Sequence, residues 1–121
     1  MKGNEMKRIL ITGSRTWTDV QFIKELFAWH PPKEVTLVSG NCPLGADAIC
    51  EQIAKEFGWM LELHPADWKK HGKSAGFKRN KEMVDLGADK CYAFIKDGSK
   101  GATHTANLAE KAGIQTFRYT R

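Results

Sequence analysis

A short segment near the carboxyl end of the chain has the residue types of a phosphate-binding loop. Gly98 and Gly101 stand three residues apart, and Ser99 and Thr103 add hydroxyl groups. Glycine lets the backbone approach a ligand and adopt positive φ angles, and the first N–H groups of a following helix lack intrahelical partners. Such a loop suits an anion, phosphate above all. The spacing alone fits an ordinary strand-to-helix turn equally well, because isolated glycine motifs are common.

Four further side chains are suited to binding a nucleotide. Arg15 follows a Thr-Gly-Ser turn, where a guanidinium can form bidentate bonds with phosphate or carboxylate. Asp47 begins a predicted helix and can accept from a ribose hydroxyl, although an acidic first-turn residue also suits the helix dipole. Arg79 can neutralise charge while Asn80 bonds a base or sugar. The alternative for Arg15 is an ordinary surface arginine on a loop.

Metal and cysteine chemistry are disfavoured. His64, Asp67 and His71 have no spacing that places two ligands on one helix face, so we expect neither a metal nor a cofactor. Cys42 would be a nucleophile only if the fold brought His64 beside it. The three cysteines form no C-x-x-C pair and are interpreted as reduced thiols.

The composition is that of a single globular domain. The chain has 121 residues, of which 41% are hydrophobic and 27% charged. We expect a polar leader over residues 1–6 and one domain over residues 7–121. No apolar run has the length of a membrane span, and the leader lacks the apolar core of a secretory signal. We therefore expect a cytoplasmic protein without a membrane partner.

Much of the net charge of +5 falls in one basic segment. Its basic residues are Lys69, Lys70, Lys73, Lys78, Arg79 and Lys81. Such a run is usually a solvated helix face, and it suits an anionic small molecule or a nucleic acid. Stacking platforms for a nucleic acid would need interleaved aromatic residues, and only Trp68 and Phe77 qualify. Trp17 and Trp68 both follow strand ends and can stack on a base, although core packing is the usual role of tryptophan.

The hydrophobic pattern predicts alternating strands and helices. Strands are predicted over residues 7–12, 34–39, 59–63, 88–95 and 114–119. Helical patterns begin after Thr18 or Asp19, after Gly45 and after the candidate N-cap Ser74, and a fourth covers residues 105–112. The proline pair at 31–32 ends the first helix. This alternation predicts an α/β fold with a mainly parallel five-stranded sheet and helices on both faces.

The predicted sheet would bring the polar loops together. In parallel sheets of this kind, ligands bind outside the carboxyl ends of the strands, near the point where the strand order reverses. The loops at residues 13–15, 39–40, 64–67 and 98–103 each follow a predicted strand. Their convergence on one rim favours a phosphate-bearing ligand more than any single loop does.

Linked motifs over nearly the whole chain resemble the YspA-like branch of the SLOG superfamily. They lie at residues 12–15, at 39–40 with 45–47, at 64–68, at 75–76 with Arg79, Asn80 and Met83, and at 98–101. The superfamily includes the LOG phosphoribohydrolases, the DprA DNA-binding proteins and domains that sense nucleotide-derived signals. The resemblance implies a Rossmann-like three-layer sandwich that binds nucleotides or NAD-derived molecules at the glycine loop.

The loops and the resemblance together predict one set of ligand-binding residues. They are Gly13, Ser14, Arg15, Ser39, Gly40, Gly45, Asp47, Arg79, Asn80, Gly98, Ser99, Lys100, Gly101, Ala102 and Thr103. The related enzymes carry a Pro-Gly-Gly-x-Gly-Thr-x-x-Glu loop and an arginine followed four residues later by methionine. Arg79 and Met83 match the second pattern, but Thr105 occupies the glutamate position of the first. The catalytic residues are therefore unknown, with Arg79 and Glu82 as candidates.

Three functions remain open from the sequence. The first is binding of a nucleotide-derived or NAD-derived phosphate compound by a sensor or a sequestering protein. The alternative is phosphoribohydrolase-like cleavage of a nucleoside monophosphate, which needs a carboxylate such as Glu82 or Asp47 in place of the missing glutamate. The third, ranked last, is DprA-like binding of nucleic acid through the basic segment. Because the related enzymes form dimers, we expect a homo-oligomer.

Overall fold

The computed structural model describes residues 7–31 and 34–121. The predicted polar leader of residues 1–6 and the second proline of the pair at 31–32 lie outside the described residues. The elements are β1 (Lys7–Gly13), α1 (Val20–Phe27), β2 (Val35–Ser39), α2 (Ala46–Glu56), β3 (Met60–Leu63), α3 (Trp68–His71), α4 (Ala75–Asp85), β4 (Lys90–Ile95), α5 (Lys100–Lys111) and β5 (Gln115–Thr120). In the part of the chain that the structure describes, none of these helices has the length and apolar character of a membrane span.

The five strands form one sheet in the order β3-β2-β1-β4-β5, and every neighbouring pair is parallel. This confirms the predicted α/β class, with a sheet that is wholly rather than mainly parallel. The chain adds β2 and β3 on one side of β1 and then crosses to add β4 and β5 on the other side. The strand order therefore reverses between β1 and β4, which is where such sheets bind ligands.

Both faces of the sheet are covered by helices. Along β1, Ile9 and Ile11 belong to the core under α1 and α2, whereas Leu10 between them packs with residues of α4 and α5. A second patch on the latter face joins Ala93 of β4 to Ala102 of α5. Because side chains alternate across a strand, an uninterrupted apolar run is needed to bury both faces at once. The result is the predicted three-layer sandwich.

The segment predicted as a basic loop is partly helical. Asp67 Oδ1 accepts a hydrogen bond from the backbone N–H of Lys70 at 3.1 Å, and this cap begins α3. A 3₁₀ turn, Gly72–Ser74, connects α3 to α4. Ser74 holds the N-cap position of α4, but its hydroxyl donates to the carbonyl of His71 at 2.9 Å and makes no side-chain cap.

The last helix begins five residues earlier than the pattern predicts. Ser99 is its N-cap, and the serine Oγ accepts from the backbone N–H of Ala102 at 3.4 Å. Gly98, with a φ of +62°, makes the turn out of β4. Lys100, Gly101, Ala102 and Thr103, which were predicted as loop, therefore form the first turn of α5.

Candidate functional site

A cleft of about 450 Å³ lies at the carboxyl ends of the strands, beside the point where the strand order reverses. Of the predicted ligand-binding residues, those that line it are Gly13, Ser14, Arg15, Gly40, Asp47, Arg79, Asn80, Ser99, Gly101 and Ala102. The loops after β1, β2 and β4 and the start of α4 thus meet at one site. The remaining predicted residues, Ser39, Gly45, Gly98, Lys100 and Thr103, are not in its lining.

Two of these remaining residues, Ser39 and Gly45, do not line the cleft but support the loops that do. Ser39 is buried, and its hydroxyl donates to Glu51 Oε2 at 2.7 Å and accepts from the backbone N–H of Asn41 at 3.1 Å. Gly45 has a φ of +70°, and a Cβ there would lie 2.2 Å from the carbonyl oxygen of Ser14. The start of α2 can therefore approach the β1 loop only because residue 45 is glycine.

Three hydrogen bonds hold the guanidinium group of Arg79 in the wall of the cleft. Its Nη1 donates to the carbonyl of Gly40 and, at 3.2 Å, to the carbonyl of His64. Its Nε donates to Asn80 Oδ1 at 2.8 Å. A Cβ on residue 40 would lie 2.6 Å from Arg79 Nη1, so Gly40 provides the space for the guanidinium. Burial lowers the pKa of Arg79, yet an arginine side chain stays charged in proteins.

Asp47 places a buried carboxyl group in the same cleft. It is 7% exposed, and its Oδ2 accepts from the backbone N–H of Cys42 at 3.1 Å. Burial raises the pKa of Asp47 to about 6, against the opposing effects of the Cys42 hydrogen bond and the charge of Arg79. An acid with such a pKa in a cleft is a candidate for ligand recognition or proton transfer.

Ser14 fastens the β1 loop to the β4 loop. Its Oγ donates to the carbonyl of Lys96 at 2.9 Å and accepts from the backbone N–H of Lys96 at 2.7 Å. Its own backbone N–H donates to the carbonyl of Phe94 at 2.9 Å. The Ser14 hydroxyl therefore already has both a donor and an acceptor partner within the protein. Ser14 contributes to the cleft mainly by holding the loop that carries Arg15.

Among the described residues, three basic side chains besides Arg79 line the cleft. Arg15 is exposed, and within residues 7–31 and 34–121 no acceptor engages its guanidinium. Lys73 and Lys96 line the cleft as well. The first turn of α5 adds the backbone N–H groups of Lys100 and Gly101, which by helix geometry lack intrahelical partners. This group can bind an anion from several directions.

About half of the lining lies outside the predicted ligand-binding set, although Trp68 and Phe77 were considered as stacking platforms and Lys73 as part of the basic segment. The residues outside the predicted set are Ile11, Thr12, Thr16, Cys42, Trp68, Lys73, Gly76, Phe77, Met83, Lys96 and Asp97. Lys96 and Asp97 directly follow β4, as Ser14 and Arg15 follow β1, and that equivalence could have found them. Nothing in the hydrophobic pattern distinguishes Phe77 from a core residue.

The structure separates several residues that were considered together. Trp17 is 1% exposed and packs against Phe94, so of the two tryptophans considered for stacking only Trp68 lines the cleft. The His64 ring contacts Glu62 Oε2 through Nε2 at 2.6 Å. Cys42 lines the cleft but His64 does not, so the arrangement does not provide Cys42 with a histidine base.

Comparison with known proteins decides the family. Residues 7–71 match the model of the YspA, cpYpsA-related SLOG family. The chain belongs to this family. The Gene 61 protein of Mycobacterium phage D29 is 41% identical to it over 122 residues, which cover 94% of this chain and 97% of that protein.

A solved structure supports the fold. The C-terminal domain of a hydrogenase from Pyrococcus furiosus superposes with a TM-score of 0.51 and 16% identity, covering 98% of this chain and 95% of that one. At this identity the likeness concerns the fold alone. Membership of the SLOG family suggests nucleotide-related binding or processing.

The residue at the glutamate position of the SLOG enzymes is buried in this chain and does not reach the cleft. Thr105, which occupies it, is fully buried, and its Oγ1 donates to the carbonyl of Gly101 at 3.1 Å. It does not line the cleft. The other catalytic candidate, Glu82, is exposed, lines a second depression with Lys78, Lys81 and Asp85, and is absent from the lining of the cleft. Its Oε1 lies 3.7 Å from His64 Nδ1.

The position of Glu82 leads to a prediction of no effect. Because Glu82 is exposed and does not line the cleft, Glu82→Gln should change the Kd of any cleft ligand by less than about twofold. Calorimetric titration of the variant against the unchanged protein measures this. A loss of tenfold or more, or loss of a turnover that the unchanged protein shows, would restore Glu82 as a candidate.

Proposed function

We propose that this SLOG protein binds a nucleotide-derived or NAD-derived small molecule that carries phosphate, as a sensor or a sequestering protein. The observation that carries the proposal is the convergence of Arg15, Lys96 and the N-terminus of α5 on one cleft. A helix N-terminus beside two cations is well suited to a phosphate group. The cleft volume of about 450 Å³ falls in the range of small-molecule sites.

Binding without turnover is the more economical form of the proposal. Cleavage of an N-glycosidic bond needs a carboxylate at the ribose carbon, and the family position for it is the buried Thr105. Among the described residues, the acidic side chains that line the cleft are Asp47 and Asp97. Asp97 Oδ2 accepts from the Thr16 hydroxyl at 3.2 Å.

One observation favours the enzymatic alternative. Asp47 is a buried carboxyl group with a pKa of about 6, which is the property of a general acid or base near neutral pH. If the protein turns over a nucleoside monophosphate, Asp47 is the residue placed to act. In a protein that only binds its ligand, the same carboxylate would accept a hydrogen bond from a ribose hydroxyl.

The proposal is tested by thermal unfolding of the purified protein with mononucleotides, cyclic and linear dinucleotides, NAD and ADP-ribose. A ligand present at 100 times its Kd stabilises the native state by about 2.7 kcal/mol. We expect at least one phosphate compound to raise the unfolding temperature and to be recovered intact. Release of free base would show that the protein hydrolyses the compound and does not only bind it. An unchanged unfolding temperature with every compound would count against a small-molecule ligand.

A further inference from the structure

Two half-exposed aromatic side chains lie in the cleft wall. Trp68, the first residue of α3, is 52% exposed, and Phe77, in the first turn of α4, is 49% exposed. Single exposed aromatic residues are common on protein surfaces. Trp29, which is 86% exposed beyond the end of α1, is such a residue and does not line the cleft. Trp68 and Phe77 differ from it because both contribute to one concave site.

Local contacts hold both rings in this wall. The Asp67 cap begins α3 and so fixes the backbone of Trp68. The Cη2 atom of Trp68 would lie 3.5 Å from a Cβ on Gly76, so the indole rests against the start of α4. Phe77 packs edge-to-face on His104 of α5, with ring centroids 4.5 Å apart. We call Trp68 and Phe77 the aromatic wall.

The aromatic wall shares the cleft with the cations that suit phosphate. Lys73 lies between Trp68 and Phe77 in sequence, and Arg15 and Lys96 line the same space. A sugar phosphate alone would use the cations and leave the two rings in contact with water. A nucleotide would use both, because its base has an apolar face and its phosphate is an anion.

We infer that the aromatic wall stacks the base of a nucleotide whose phosphate lies beside Arg15 at the N-terminus of α5. The inference rests on the proposed function and narrows it: the ligand carries a planar base, and sugar phosphates without one bind poorly. Stacking on an aromatic side chain tolerates every base, because every base has a π-face. The aromatic wall therefore selects the class of ligand and leaves the choice of base to polar groups such as Asn80.

The test compares adenosine 5′-monophosphate with ribose 5-phosphate, which carries a hydroxyl at the anomeric carbon in place of the base. Trp29→Phe serves as the background, since Trp17 and Trp59 are buried and the remaining exposed tryptophan is Trp68. We expect adenosine 5′-monophosphate to quench the tryptophan fluorescence and to bind at least tenfold more tightly than ribose 5-phosphate. Trp68→Ala should weaken the nucleotide roughly fivefold to a hundredfold and leave the sugar phosphate unchanged.

A second variant separates stacking from folding. Trp68→Phe keeps an aromatic face, so calorimetry should show most of the nucleotide affinity retained while the fluorescence signal is lost. Equal affinity for the two probes, or an unchanged nucleotide Kd in Trp68→Ala, would overturn the stacking and leave the phosphate site standing. Failure of both probes to bind at millimolar concentration would overturn the phosphate site and the stacking together.

Discussion

Replacing Arg15 by glutamate is expected to weaken binding of a phosphate-bearing ligand by more than about 100-fold. A hydrogen bond to a charged group contributes about 1.5–3 kcal/mol, and the substitution also places a carboxylate where the phosphate binds. The fold should tolerate the change, because Arg15 is exposed and no acceptor in the described residues engages it. Calorimetry with the most stabilising nucleotide, at two salt concentrations, measures the loss.

The control for Arg15→Glu is Lys55→Glu, which changes the net charge equally. Lys55 is exposed in the last turn of α2 and does not line the cleft. Because α2 joins the parallel strands β2 and β3, it runs from the carboxyl end of β2 back to the amino end of β3. We expect its Kd to change by less than about twofold at 0.15 M salt, where the Debye length is about 8 Å. Equal losses in the two variants would mean that the overall field, and not a contact with Arg15, attracts the ligand.

The same pair of variants tests the nucleic-acid alternative. Lys69, Lys70, Lys78 and Lys81 are exposed and do not line the cleft. DNA binding through these lysines would fall steeply with salt and would be insensitive to Arg15→Glu. If Arg15→Glu abolished nucleotide binding and left any DNA binding unchanged, the two ligands would use different surfaces.

The fold was predictable because it depends on patterns that span many residues. The run of Ile9, Leu10 and Ile11 can bury both faces of a strand only inside a sheet with helices on each side. Alternation of such runs with helical patterns then fixes a parallel sheet. Strand order was open, because it depends on which side of β1 each crossover takes, and that is decided by packing of whole helices.

The site was predictable in its loops and less so in its side chains. Arg15 and Asp47 reach the cleft because the ends of parallel strands share one edge. Ser39 does not, because its hydroxyl turns to Glu51 at 2.7 Å. Trp17 lies in the core although it follows β1, because Phe94 offers it an aromatic neighbour 5.4 Å away. Side-chain direction after a strand depends on such tertiary contacts, which one sequence does not display.

Asp47→Asn is expected to stabilise the protein at neutral pH while weakening its ligand. The pKa of Asp47 is raised to about 6 in the folded state because the carboxyl group is buried. The stability that comes from its neutral form is therefore present in acid and is lost as the pH rises through about 6. A shift of this size corresponds to on the order of 3 kcal/mol at pH 8, or roughly 10 °C in unfolding temperature. Asparagine stays neutral and avoids the loss.

The measurement is the unfolding temperature of both proteins between pH 4 and pH 8 without ligand. We expect the two to agree near pH 4 and the variant to be more stable above pH 7. Asp85→Asn, which removes one exposed charge and its ion pair with Lys81, should shift the temperature by only a degree or two at any pH. If Asp47→Asn were less stable at pH 8, the attraction to Arg79 would outweigh the burial of the carboxylate.

Ligand affinity should respond in the opposite direction. Asparagine keeps an acceptor oxygen but loses the charge, and a hydrogen bond to a charged group is stronger than one to a neutral group by about 1–1.5 kcal/mol. The variant should therefore bind about tenfold more weakly at pH 8. At pH 5 Asp47 is mostly protonated in the free protein, and the difference between the two proteins should shrink. Loss of affinity at pH 8 together with a gain in stability is the result expected if the Asp47 carboxylate contacts the ligand. Tighter nucleotide binding by Asp47→Asn would exclude a ligand contact by the carboxylate and leave Asp47 as a structural partner of the Cys42 backbone.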